Sequence, residues 1–440
     1  MTIPSINIKI VNVLTATFVT MSFFLDFISF AAVLIVFALY RIATRTIYLG
    51  DIGRAGIPAI AAIFVVGLMS TLALSPYPFS AWDVGKDLYL FLAPILMLVL
   101  GLTFIKTPPD FERVLTTAAY TLTIISIIVF SNFLFGGHLL NISLETRYAY
   151  NLDSTASTLA LLLIISLRPK LGSLTAHPKL SALAILNFSM IVVSLSRVNL
   201  SIALVSLVFV YSHNRFIRAA VIAATLIMIA APFMQISHVA WGNSMSGSSG
   251  FFEKVINSQQ EARISNYYNI ADMNEHWRGY EAYLGINQVL KIGGWANLIG
   301  LGFGSYALGP FADKLQHIPF FHNGFVTIFL KSGSLGLVIF AIFVGKLFFV
   351  SRSAFVKARS ISDPQIARAG IVVFLFTNSM LLRTLTTHGV YYAKTTLELF
   401  FIGLSIYVIG RLWHRRATAH AFNRGDRQHG PSISHRTGHR

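Results

Sequence analysis

The sequence predicts an all-α polytopic membrane protein of about twelve transmembrane helices with one large extracytoplasmic loop. Three observations carry this reading. First, 55% of the 440 residues are hydrophobic and only 12% are charged, a balance too apolar for a soluble chain of this length. Second, the apolar residues fall in runs of roughly 15 to 25, the length that crosses a bilayer as a helix. Third, basic residues collect in alternate loops, as they do on the cytoplasmic side of membrane proteins.

Taken in order, the apolar runs lie at 8–24, 27–40, 56–74, 87–105, 114–135, 154–167, 180–195, 198–212 and 218–236. Three more follow at 323–350, 370–387 and 395–411. The first two share one run broken near Asp26, and Lys9 precedes it without a cleavage site, so the first span is expected to be retained. The chain therefore divides into an N-terminal bundle (1–236), a large polar loop (237–322), a C-terminal group of spans (323–411) and a basic tail (412–440). The tail has the composition of a disordered segment attracted to anionic lipid.

The formal net charge is +17, and its placement explains it. Arg41, Arg45 and Arg54, then Lys106 and Arg113, then Arg168, Lys170 and Lys179, then Arg215 and Arg218, then Arg352, Lys357, Arg359 and Arg368 fall in alternate loops. With the tail, they put most of the positive charge on one side, expected to be the cytoplasm, with both termini there. Membrane lipids account for this charge, and no nucleic-acid partner is expected. The chain has no cysteine, which excludes disulfides and thiolate zinc sites.

The 237–322 loop is then extracytoplasmic, and it is where chemistry is expected. Its acidic and basic residues nearly balance, and it holds Trp241, Trp277 and Trp295. Trp277, Tyr280, Leu284 and Val289 have helical spacing, predicting a short amphipathic helix over about 275–289. Gly293-Gly294 and then Gly300, Gly302 and Gly304 predict a flexible stretch with exposed backbone. That Gly-Leu-Gly-Phe-Gly run follows no strand, so it is not a dinucleotide fingerprint.

Cations on this side are the informative ones, because an arginine near membrane depth usually faces a cavity or an anion. Arg197, at a tight junction of two spans, and Arg278, in the predicted loop helix, are the leading candidates. Arg147, Arg263 and Arg383 share their side, and Arg383 flanks the last outer loop with Lys394. His322, at the mouth of a span, is followed by Asn323 and then by Gly333 and Gly336; Lys331 lies roughly two and a half turns into that span, which suggests a polar cavity or an ion pair, with snorkelling to the interface as the alternative. Asp83 and Asp87 have helical spacing and read as surface or capping carboxylates.

Ser196-Arg197 at a span junction, a long outer loop with Arg278, the Gly300-to-Ser305 turn and His322-Asn323-x9-Gly333-x2-Gly336 together resemble the O-antigen ligase and polymerase family. The resemblance is clearest over about 190–340. It implies a membrane glycosyltransferase type C fold and transfer of a glycan from undecaprenyl diphosphate to an acceptor sugar on the periplasmic face of a bacterial inner membrane. It also implies catalytic roles for Arg197, Arg278 and His322, with Arg263, Arg147 and Arg383 as further diphosphate ligands.

Such chemistry fits these residue types. The leaving group is already activated, so arginines would neutralise the diphosphate and a histidine would take or orient the acceptor proton. No Asp-x-Asp pair occurs anywhere in the sequence, so neither metal nor cofactor is expected. The acceptor separates a ligase, using lipid A core, from a polymerase, using another carrier-linked glycan; the His-Asn spacing favours the ligase. A lipid-linked glycan flippase would predict ionisable residues spread through many spans and a repeated half. Here they gather at one mouth, and no repeat is visible.

Overall fold

The computed structural model describes residues 4–25, 27–44, 49–74, 80–135, 154–168, 177–194, 196–212, 277–311, 314–318, 321–361, 363–386 and 396–428. Its elements in chain order are α1 (Pro4–Phe24), α2 (Phe27–Thr44), α3 (Leu49–Arg54), α4 (Ile57–Leu74), α5 (Ala81–Phe104), α6 (Asp110–Phe135), α7 (Thr155–Leu167), α8 (Pro178–Val193) and α9 (Arg197–Tyr211). There follow α10 (Trp277–Ile292), α11 (Trp295–Ile299), strands β1 (Ala307–Phe311) and β2 (Lys314–Ile318), then α12 (Gly324–Ile361), α13 (Pro364–Thr386) and α14 (Leu397–Gln428). The chain is thus an all-α membrane protein in outline. Five of the described helices, α4, α5, α6, α12 and α13, are long and apolar enough to cross a bilayer, and α1, α2, α7, α8 and α9 hold shorter apolar stretches. Every predicted apolar run has a helix except 218–236, which lies outside the described residues.

Burial follows from how apolar each helix is around its circumference. All thirteen residues of α7 are buried, as expected for a helix without a polar face. It packs between α6, α8, α9 and α13. Without a hydrophobic drive between spans, close approach depends on small residues, and α5 meets α14 at Gly101 and Gly403. A methyl group on Gly101 would come within 2.2 Å of the Phe400 carbonyl oxygen, and one on Gly403 within 2.4 Å of that of Leu98.

Among the described residues, basic loops of the sequence come together at one end of the bundle. There Glu112 pairs with both Arg168 and Arg368, tying α6 to the ends of α7 and α13. Tyr407 donates to the Lys106 carbonyl at 2.8 Å, Tyr211 to that of Arg168 at 3.0 Å, and Arg41 to those of Thr103 and Phe104. His322, the start of α9 and the end of α13 lie at helix ends of the opposite sense.

The glycine run after α11 is buried and hydrogen-bonded on both flanks, contrary to the sequence expectation of exposed backbone. Leu301 and Phe303 are fully buried because this segment inserts between α4, α5 and α12. The acceptors that receive it exist because α12 is broken at Gly333, whose φ of 65° and ψ of −165° are not helical. That break detaches carbonyls from the helical ladder: Leu330 and Lys331 instead accept from the backbone N–H groups of Leu301 (2.7 Å) and Gly302 (3.2 Å). On the other flank Ser70 donates to the Gly300 carbonyl (2.7 Å), and the Thr71 hydroxyl accepts from the Phe303 N–H (2.6 Å). Gly302 has φ +82°, and any Cβ there would lie 2.3 Å from the Thr71 backbone nitrogen. The Phe303 ring enters the space left by Gly67, packing 5.0 Å from Phe91 and 5.7 Å from Phe64. Irregular backbone is tolerated at membrane depth only where protein groups satisfy it, and here they do.

Two further differences concern this region. The predicted loop helix is present as α10, Trp277–Ile292, and the antiparallel β1–β2 hairpin that follows was not foreseen. Asp87 is not a capping or surface carboxylate. It is wholly buried and meets Lys331 at 2.6 Å. Asp83 does sit in the first turn of α5, where its N–H is capped by Ser80.

Candidate functional site

Helix α10 presents Gly285 and Val289 to the bundle, and on that buried face, four residues before Gly285, stands Glu281. Its carboxylate Oε2 lies 2.7 Å from His322 Nδ1 and also accepts from the His322 backbone N–H at 3.2 Å. The Glu281 side chain is 4% exposed, whereas that of His322 is 41% exposed, so the carboxylate is enclosed and the imidazole opens outward. The geometry selects a tautomer. With Glu281 ionised and accepting from Nδ1–H, a neutral imidazole has its basic lone pair on Nε2. A buried acid thus orients a half-exposed base, the arrangement that general-base chemistry needs.

Asn323 fixes the position of this histidine. Its side-chain oxygen accepts from the N–H groups of Phe325 (3.0 Å) and Val326 (3.4 Å), capping α12 and holding His322 at the helix mouth. Arg278 is exposed and lies three residues before Glu281 on α10, a spacing that places the two on neighbouring positions of one helix face. Tyr280 is buried beside Trp277, their rings 6.2 Å apart. Burial, reinforced by Tyr283, pushes its phenol above the ordinary value, so it stays protonated.

Beneath His322 lies the buried pair of Asp87 and Lys331. Asp87 Oδ2 accepts both from Lys331 and, at 2.7 Å, from the Gly304 N–H, while Lys331 also donates to the Ser305 carbonyl. Of the readings the sequence left open for Lys331, the structure shows the ion pair, not snorkelling. Through it, α5, α12 and the inserted loop are locked together just below the helix mouth.

Arg383 belongs to a second polar centre. Arg383 is 4% exposed and bonds Glu398 at 3.1 Å and Thr155 at 3.2 Å; Ser379 donates to the same Glu398 oxygen at 2.6 Å. Glu398 already compensates its charge. Next to Thr155, the Ser154 hydroxyl receives hydrogen bonds from Ser194 (2.7 Å) and Asn199 (2.6 Å). Asn199 lies in the first turn of α9, which Arg197 begins and Ser196 caps. The contacts thus bring the start of α9 to Arg383 and hold His322 on Glu281, three residues after Arg278 along α10, while α9 packs on α7 and α13. Arg147 and Arg263 lie outside the described residues.

Sequence reasoning missed Glu281. The signal was there, since a carboxylate four residues before Gly285 and eight before Val289 interrupts an otherwise apolar face. No cluster of three or more metal-ligating side chains occurs among the described residues. A scan of protein-family models and a search of curated proteins give no match to the chain.

Proposed function

We propose that the chain is an O-antigen ligase-like glycosyltransferase that moves a glycan from undecaprenyl diphosphate to an acceptor sugar of lipid A core. In this reading it crosses a bacterial inner membrane twelve times with both termini cytoplasmic, has a type C-like fold, and works at the periplasmic, His322-bearing end. The observation that carries the proposal is the Glu281–His322 contact beside the exposed Arg278. One acid, one base and one cation at a helix mouth supply what transfer from an activated donor requires. The acceptor hydroxyl oxygen bonds to the anomeric carbon as the bond from that carbon to the phosphate oxygen breaks. The diphosphate leaves with the electron pair, stabilised by arginine, and the hydroxyl proton passes to His322.

The position of the buried charges supports an enzyme over a transporter. Among the described residues the buried charges keep to the two ends of the bundle: Asp87, Lys331, Arg383 and Glu398 within about two turns of the His322-bearing end, and Arg41, Asp51 and Asp363 at the basic end. A transport path would carry such groups through the full depth of the membrane.

The deciding experiment incubates the purified chain with an undecaprenyl-diphosphate-linked glycan and, in parallel, with lipid A core or a second carrier-linked glycan. Transfer to the core alone, lost in His322→Ala, is expected. Transfer only between carrier-linked chains would make it a polymerase, and no transfer to either would overturn the reading.

A further inference from the structure

At the basic end, α6, the C-terminus of α7 and the N-terminus of α8 enclose a cavity of about 330 Å³ that the proposed reaction does not use. Its volume falls within the roughly 300–1,000 Å³ of small-molecule sites. Arg168, His177 and Lys179 line it, with Thr116, Tyr120 and Leu180 on the remaining walls. Glu112 also faces it, but Arg168 and Arg368 both pair with this carboxylate, so the lining remains cationic.

The flank below the cavity indicates what kind of anion would fit. Glu112, Thr116, Tyr120, Ile124 and Ile128 recur every four residues along α6 and form one continuous ridge that turns about 40° per step, so its lower part, Tyr120, Ile124 and Ile128, faces one side of the helix within about 80°. Tyr120, Ile124 and Ile128 are exposed. That ridge changes from charged to apolar over about 24 Å, at 1.5 Å per residue, within a helix long and apolar enough to cross a bilayer. A cationic pocket above an exposed apolar row has the shape of an amphiphile, with the head in the cavity and a chain along α6. A soluble phosphate compound would have no use for the row.

We propose that this cavity binds the phosphate of an anionic phospholipid from the leaflet at the basic end. Arg168 and Lys179 supply charge to the phosphate, Tyr120 marks the boundary between head and chain, and Ile124 and Ile128 line the chain. Such a lipid would brace α6 against α7 and α8.

Native mass spectrometry of the full chain in detergent tests the proposal, with phosphatidylglycerol, phosphatidylcholine and inorganic phosphate titrated separately. Phosphatidylglycerol should bind preferentially. Lys179→Gln, at an exposed position, should weaken it about five-fold, the worth of one basic residue near an anionic headgroup, and Ile124→Asn should weaken it too. Equal binding of phosphatidylcholine, or indifference to both substitutions, would overturn the site. Full displacement of the lipid by inorganic phosphate, with Ile124→Asn silent, would show a soluble-anion site instead.

Discussion

Lys331 of α12 and Asp87 of α5 form an ion pair of 2.6 Å in which neither side chain has any solvent exposure. The pair also holds the inserted loop, since Gly304 donates to the carboxylate and Lys331 to the Ser305 carbonyl. This couples the loop preceding β1 to α12, whose start His322 precedes by two residues, so the pair supports the site from below. Buried pairs repay their desolvation only when both partners are present.

Breaking it from either side should therefore be costly. Lys331→Met and Asp87→Asn are each expected to destabilise the protein by about 3–5 kcal/mol, because each leaves one group buried without its counter-charge. The double variant should cost clearly less than the sum. Denaturant unfolding in detergent, read as a double-mutant cycle, measures this, and strict additivity would refute the coupling.

Glycines in the same region should differ sharply by position. Gly302→Ala forces a side chain into positive φ and against the Thr71 backbone, and is expected to cost more than about 2 kcal/mol. Gly85→Ala lies inside α5 with nothing near its would-be Cβ, and should be neutral or stabilising by up to about 1 kcal/mol. Comparing the folded fraction of the two variants after mild heating decides; similar losses would mean that the loop is not docked as described.

At the helix mouth, the acid and the base should affect turnover, and the arginine should affect binding. His322→Ala should lower turnover by roughly 10² to 10⁴ while leaving affinity for a carrier-diphosphate analogue nearly intact. Glu281→Gln keeps the shape but no longer holds the imidazole with a charge, and a loss of about 10- to 100-fold in turnover is expected. Arg278→Ala should weaken analogue binding by roughly 1.5 to 3 kcal/mol, with Arg278→Lys a poor rescue. If His322→Ala abolishes analogue binding while Arg278→Ala does not, the roles are reversed.

Sidedness can be tested directly. Cysteines at Ser248 and Ser360 should react with an impermeant thiol reagent from opposite sides, only the first in intact cells. Labelling of both from outside would rule out the twelve-span arrangement.

The sequence by itself determined the helical membrane class, most helix positions and the gathering of basic loops at one end. Hydrophobic run length and charge placement are local properties, and the bilayer dictates their meaning. It also pointed to His322 and to Lys331 as a charge inside a span. Only the tertiary structure decided which partners these are. Glu281 stands 41 positions before His322 in the chain, and Asp87 lies far earlier than Lys331 on another helix, so no spacing rule joins either pair. The glycine run shows the same limit. Glycine permits a flexible exposed loop and a tightly buried one equally well. Which of the two forms depended on the break at Gly333 and the gap at Gly67, two features of other helices that meet the loop only once the bundle has assembled.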